Sequence, residues 1–194
     1  MGESQLSHPF ERMDIAPGIH LDCIRHQYAQ DIFKLIDTNR QHLQPWLPWV
    51  DISLTVEDTQ AFIERMDAAR EKETVVCTVI FVENEIAGLV DLHAIDTTNK
   101  HASIGYWLGK QYEGLGIMTR AVEALIRYGF MKLQLERIEI CVVPDNTRSR
   151  AIPERLGFTL EGTLRHYQRH NKNQYRDLMV YSLLSGEYAM KPNN

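Results

Sequence analysis

The sequence predicts a mixed α/β domain built on a single sheet, and three observations carry that reading. The chain has 194 residues, 44% hydrophobic and 24% charged. That is enough for one domain with a full core and too short for two comfortable ones. Its hydrophobic periods give the order βααβββαβαββ, in which strands follow one another directly and the strand–helix alternation of dinucleotide-binding folds is missing. A strand around Tyr106 also runs through a turn with two glycines into a helix, the local pattern of an anion-binding βα corner.

The elements follow in order. Residues 1–13 show no pattern and are expected to be disordered or an appended leader, with the domain spanning 14–190. Ile19, Leu21 and Cys23 alternate and predict a first strand over 19–25. Tyr28, Ile32, Leu35, Ile36 and Leu43 recur at helical spacing over 27–42. The segment Pro45-Trp46-Leu47-Pro48-Trp49 is a proline-broken aromatic loop. Thr55-Val56-Glu57-Asp58 is a capping-box pattern that opens a helix carrying Phe62, Met66 and Ala69 on one face. Residues 74–82 form a nearly continuous apolar run, expected as a central strand. The turn Glu83-Asn84-Glu85 leads into a second strand over 86–95, and 101–109 makes a third. A helix over 117–132, a strand over 137–143, a short helix over 147–156 and two strands, from Phe158 and from about Arg176 to Leu184, complete the chain.

Composition narrows the function. The net charge of -5 argues against general binding to duplex phosphate backbones. No run approaches the roughly 18 apolar residues of a membrane span, and the N-terminus lacks a basic-then-apolar signal, so a cytoplasmic protein is expected. Cys23, Cys77 and Cys141 are far apart in apolar strand-like runs and read as small buried hydrophobes. The eight histidines show no zinc spacing, so no metal is expected.

The informative segment is Tyr106-Trp107-Leu108-Gly109-Lys110-Gln111-Tyr112-Glu113-Gly114-Leu115-Gly116-Ile117-Met118-Thr119. Gly114 and Gly116 allow backbone angles closed to other residues and a close approach of ligand to chain. The turn then presents N–H groups at a helix N-terminus, where the macrodipole favours anions. The Lys-Ser/Thr pair of a triphosphate-binding loop is missing, which disfavours a nucleoside triphosphate with magnesium. A plain strand-to-helix turn would use the same glycines, so spacing alone leaves both readings open.

Gln111-x-x-Gly114-x-Gly116 after a strand resembles the acetyl-CoA signature of the GNAT N-acetyltransferases. A second block, Asn146-x-x-Ser149 followed by Leu156-Gly157-Phe158-x-x-Glu161-Gly162, resembles another conserved piece of the same superfamily, and the likeness runs from about Ile19 to Tyr188. Ile104-Gly105-Tyr106-Trp107, Pro45-Trp46-Leu47 and Tyr175-Arg176-Asp177 are similar to the RimJ/RimL-like branch, which acetylates α-amino groups. The resemblance implies the GNAT fold: a mixed, mostly antiparallel seven-stranded sheet, flanked by about four helices and splayed between the 101–109 and 137–143 strands. The pantetheine arm of acetyl-CoA would enter that splay as an added strand does.

The same resemblance implies the site. Trp107, Leu108, Gln111, Tyr112, Glu113, Gly114, Leu115, Gly116, Ile117, Met118 and Thr119 would hold the cofactor, with Asn146 on the pantetheine arm and the Leu108 N–H on the thioester carbonyl. Ser149 would protonate the departing sulfur; its other reading is a helix-cap hydroxyl. His93, two residues after Asp91, is either a water-polarising base or an ordinary strand histidine. RimL-like enzymes that carry a glutamate base on the strand after the Glu-Gly pair are matched here by Gln168, which leaves that role empty, and Glu161 is expected to be structural.

On the acceptor side, Trp46, Trp49 and Phe62 are core aromatics or a clamp for a planar group, and Arg165 with Arg169, Lys172 and Arg176 is a solvated hairpin or a phosphate contact. The Trp49–Phe62 pair resembles acetyltransferases of antibiotic self-immunity that act on toxic aminoacyl-nucleotides. The resemblance therefore implies a small acceptor with an α-amine and a nucleotide, taken by a monomer or homodimer with no nucleic-acid or membrane partner. The alternatives are a RimL-like N-terminal acetyltransferase of a ribosomal protein and a non-catalytic acetyl-CoA-binding module.

Overall fold

The computed structural model describes Phe10, residues 12–171 and residues 174–189. Residues 1–9 of the expected leader and Lys172 of the basic hairpin lie outside the described residues. Strands β1 (Met13–Ala16) and β2 (Ile19–Cys23) lead into helices α1 (Ala29–Thr38), α2 (Arg40–Leu43) and α3 (Val56–Glu71). Strands β3 (Val76–Val82), β4 (Glu85–Asp96) and β5 (His101–Leu108) follow, then α4 (Ile117–Met131), β6 (Arg137–Val142), α5 (Thr147–Arg155), β7 (Thr159–Asn171), β8 (Gln174–Leu184) and α6 (Ser185–Ala189).

The strands make one sheet in the order β1-β2-β3-β4-β5-β6-β8-β7. Among the described residues only β5 and β6 pair in parallel. The mixed, mostly antiparallel GNAT architecture is as expected, with eight strands among the described residues where seven are implied and six α-helices where about four are. The extra strand is β1, a four-residue edge piece whose half-exposed pattern carries too little periodicity to be read locally. Phe10, just before it, is buried edge-on against Tyr128.

The sheet separates two cores. On one face Leu92, Ile104, Ile138 and Ile140 pack under Ala121, Val122 and Leu125 of α4. On the other, Cys77, Val79, Phe81 and Leu89 pack under Ile32 and Ile36 of α1 and Ile63 of α3. The predicted capping box starts α3: the Thr55 hydroxyl accepts from the Asp58 N–H, and Asp58 accepts from the Thr55 N–H at 2.9 Å.

Strand alternation corrects one cysteine. Ile138, Ile140 and Val142 point into the core, so Cys141 faces out and is exposed, while Cys23 and Cys77 are buried. Glu161 lies on β7 at a bulge, and it is structural there. Its carboxylate takes two 2.6 Å bonds from the Arg137 guanidinium on β6 and one of 2.8 Å from the Ser182 hydroxyl on β8. One side chain thus clips three strands beside the β5–β6 junction.

The Arg137 bonds hold the Glu161 carboxyl at about 2, below its ordinary 4.5. A depressed folded-state pKa stabilises the fold above the unfolded value and loses that contribution as pH falls. Because the carboxylate is 42% exposed, solvent screens the pair and the effect stays on the order of 1 kcal/mol. Glu161→Gln should therefore lower the melting temperature at pH 7, and the gap to the parent should close between pH 4.5 and pH 2. Thermal melts across that range check it; a gap independent of pH would mean that the clip is not electrostatic.

Candidate active site

The sheet opens where β5 leaves β6. The two strands pair only at His101–Arg137, Ala102–Ile138 and Ser103–Glu139, while β5 continues against β4 to Leu108. The Gly109 N–H donates to the Ala87 carbonyl on β4. Backbone direction alternates along an antiparallel strand, so the N–H groups of Leu108 and Tyr106 point the other way, into the gap left by β6. This is the splay, with unpaired strand edge on offer.

At its mouth, Lys110–Tyr112 makes a single 3₁₀ turn and Gly116 starts α4 from the left-handed region at φ 72°. Gly114 is also left-handed, at φ 76°, and a Cβ placed on it would meet nothing within 4 Å. The cradle is therefore open where a phosphate would approach the N-terminus of a 15-residue helix. The side chains of Ile117 and Met118 are buried in the core, so those positions offer a ligand only their backbone. Leu115 is exposed, and the Thr119 hydroxyl accepts from Arg155 at 2.8 Å.

Contacts missed by the sequence reading hold this turn in place. The buried Asn39 accepts from the Lys110 N–H at 2.9 Å and donates to the Leu35 carbonyl. Glu113 pairs with His42 of α2 at 3.2 Å and with Arg148 of α5. No local motif marks these partners, because each belongs to a different element.

Asn146 caps α5, its Oδ1 accepting from the Ser149 N–H at 3.2 Å. The cap reading of Ser149 is thereby removed: its hydroxyl lies in the first turn and donates to the Tyr106 hydroxyl at 3.1 Å. Tyr106 in turn donates to the Ser149 carbonyl at 3.0 Å. Burial pushes the Tyr106 phenol up to about 12. Tyr106 belongs to the glycine-turn segment, but nothing in the local sequence marks this contact.

His93 stands on the opposite face. A bulge between His93 and Asp96 puts Ala94 at φ 50° and exposes His93 and Ala94 together. His93 Nδ1 lies 2.7 Å from Asp91 Oδ1. That hydrogen bond, opposed by partial burial, raises the imidazole pKa above its usual value. Both side chains lie over Gly105, where a Cβ would come within 3.1 Å of Asp91 and 3.3 Å of His93. A larger residue at this point would have to push the Asp91 and His93 side chains aside.

Trp107 shares that face by alternation, and its ring meets Trp49 with centroids 6.0 Å apart. Trp49 and Phe62 are half-buried at the fringe of the second core. Trp46 lies under the Arg176 guanidinium, 5.7 Å from its centroid. Arg176 also donates to the Pro45 carbonyl and approaches His170 at 3.0 Å. Arg176 thus fastens the aromatic loop to β8. Arg165 is exposed on β7 beside the bulge at His166, near Asp177. Gln168 sits opposite Arg176.

No helix among the described residues is long and apolar enough to cross a membrane, and no group of three or more His, Cys, Asp or Glu among them is arranged to hold a metal. The acetyltransferase (GNAT) domain family matches residues 19–159. YdaF of Bacillus subtilis (strain 168), named as a candidate ribosomal N-acetyltransferase, is 36% identical over 162 residues, 82% of this chain and 87% of that protein. The crystal structure of the microcin C7 self-immunity acetyltransferase MccE with acetyl-CoA and AMP is 33% identical with a TM-score of 0.83, covering 88% of this chain and 94% of that one. RimL, a ribosomal L7/L12 α-N-protein acetyltransferase in complex with coenzyme A, superposes with a TM-score of 0.85 at 27% identity, covering 90% of this chain and 98% of that one. The open splay, the glycine cradle and these relatives agree: the chain belongs to the GNAT acetyltransferases, enzymes that take their acetyl group from acetyl-CoA, and RimL is among the proteins it resembles.

Proposed function

We propose that the enzyme acetylates the α-amino group of a small aminoacyl-nucleotide by direct attack in a ternary complex, as in self-immunity against such a toxin. The carrying observation is the placement of Trp49. It packs on Trp107, on the sheet face where Asp91 and His93 cover Gly105. Phe62 is half-buried at the fringe of the same core. Aromatic side chains beside a candidate base suit an acceptor that carries a planar base and an amine. The likeness to MccE, whose structure holds AMP, supports this choice.

The chemistry follows from the two faces. Acetyl-CoA supplies a thioester. The Gln111–Thr119 turn and Asn146 bind its phosphates and pantetheine arm, and the Leu108 N–H points to where the carbonyl oxygen gathers charge. An α-amine, with a pKa near ~7.7, is partly neutral at pH 7. Asp91 engages His93 Nδ1, which leaves Nε2 to take a proton from the amine or its water. The raised pKa places the base form of His93 above the ordinary imidazole range. Ser149 gives a proton to the departing sulfur and takes one back from solvent.

A ribosomal-protein N-terminus is the second reading. It is favoured by the Escherichia coli (strain K12) ribosomal-protein-serine acetyltransferase, 29% identical over 172 residues, 89% of this chain and 96% of that protein. A thiol-release screen of aminoacyl-sulfamoyl adenosines, ribosomal N-terminal peptides and polyamines decides between them. For the nucleotide acceptor, Trp49→Ala or Phe62→Ala should raise its KM about 5- to 150-fold, the worth of one stacked base, with the acetyl-CoA KM nearly unchanged. Paired KM values on variants shown by melting to be folded check this. Preference for the peptide, with neither aromatic mattering, returns the enzyme to the second reading. No thiol release with any amine would leave an acetyl-CoA-binding module.

A further inference from the structure

We infer that Tyr106 is a positioning residue for Ser149: it holds the serine hydroxyl at the edge of the splay and steadies that oxygen while the sulfur is protonated. The inference rests on the proposed role of Ser149 and goes beyond it. Its starting point is Pro153. In a regular helix the N–H of residue 153 would donate to the Ser149 carbonyl, and proline has no N–H. The carbonyl left without that helical partner accepts instead from the Tyr106 hydroxyl, at 3.0 Å. Tyr106 comes from β5, 43 residues away, and reaches α5 from across the splay. Having approached Ser149 for its carbonyl, the same phenol oxygen lies 3.1 Å from Ser149 Oγ and accepts its hydrogen.

Two oxygens of one serine are thus bound by one phenol. A serine side chain has three staggered χ1 wells, and this contact favours the one that places Oγ at Tyr106. When negative charge builds on the sulfur, the Ser149 O–H turns toward it. The phenol proton, within hydrogen-bond distance of both serine oxygens, moves its hydrogen bond from the carbonyl to Oγ. Tyr106 keeps its proton throughout, because burial disfavours the phenolate. No proton is therefore drawn from it, and its part is orientation.

The test is a double-mutant cycle of Tyr106→Phe and Ser149→Ala, with kcat, the acetyl-CoA KM and the melting temperature measured on the four proteins. Any loosening of α5 caused by losing the bond to the carbonyl occurs in both serine and alanine backgrounds and cancels in the cycle. The expected result is a loss of kcat on the order of 10-fold for Tyr106→Phe when residue 149 is serine. No further loss is expected when it is alanine, and the acetyl-CoA KM should be steady throughout. Equal losses in both backgrounds would overturn the inference and leave Tyr106 a strut. If Ser149→Ala alone has no effect on kcat, the proposed role of Ser149 fails first, a distinct outcome. Should Tyr106→Phe not fold, 3-fluorotyrosine at 106 keeps the ring and makes the phenol more acidic. It should change kcat in the parent and leave it unchanged in the Ser149→Ala background, and an unchanged kcat in both would count against the inference.

Discussion

Ser149→Ala should lower kcat by on the order of 100-fold while the affinity for acetyl-CoA hardly moves. The Ser149 hydroxyl makes no cap; its bond is to Tyr106 at the edge of the splay. A hydroxyl in that place meets charge only when the thiolate departs, and a group that acts on charge developed in the transition state shows in kcat rather than in ground-state binding. The helix survives the change, because Asn146 supplies the cap. Steady-state kinetics over a range of both substrates, with calorimetric binding of acetyl-CoA, give the two quantities. A variant that loses binding and keeps its turnover at saturation would make Ser149 a ligand contact only.

Gly114→Val should weaken coenzyme A binding at least tenfold, about 1.4 kcal/mol. Gly114 separates binding from folding well, since a Cβ there touches nothing within 4 Å. The added side chain has room in the folded protein, and that room is where a phosphate would approach the backbone. A β-branched residue at φ 76° costs roughly 1–2 kcal/mol of backbone strain, so a modest fall in melting temperature accompanies the loss. Calorimetry on the folded variant measures the binding term. Unchanged affinity would move the pyrophosphate away from this turn.

Much of this enzyme is encoded within short stretches of chain. The capping box at Thr55, the β-branched run of β3, the Glu83–Glu85 turn and the glycines before α4 each place an element to within a few residues. Hydrogen bonding and apolar periodicity act there between neighbours in sequence. The Asn146–Ser149 spacing likewise fixes a cap and a first-turn serine without help from the rest of the fold.

Sequence alone therefore determined the fold class, the glycine-flanked corner before α4 and the family. Tertiary structure decided the environment of each chemical group. Tyr106 meets Ser149 across 43 residues, Asn39 meets Lys110 across 71, and Arg137 meets Glu161 across 24. These pairs arise from the order in which strands enter the sheet, which local periodicity does not encode. The exposure of Cys141 depends on the register of β6, and the placement of His93 on a bulge beside Ala94. Pro153 links the two levels. Its missing N–H is legible in the sequence, but which donor takes the freed carbonyl depended on β5 and α5 being brought together.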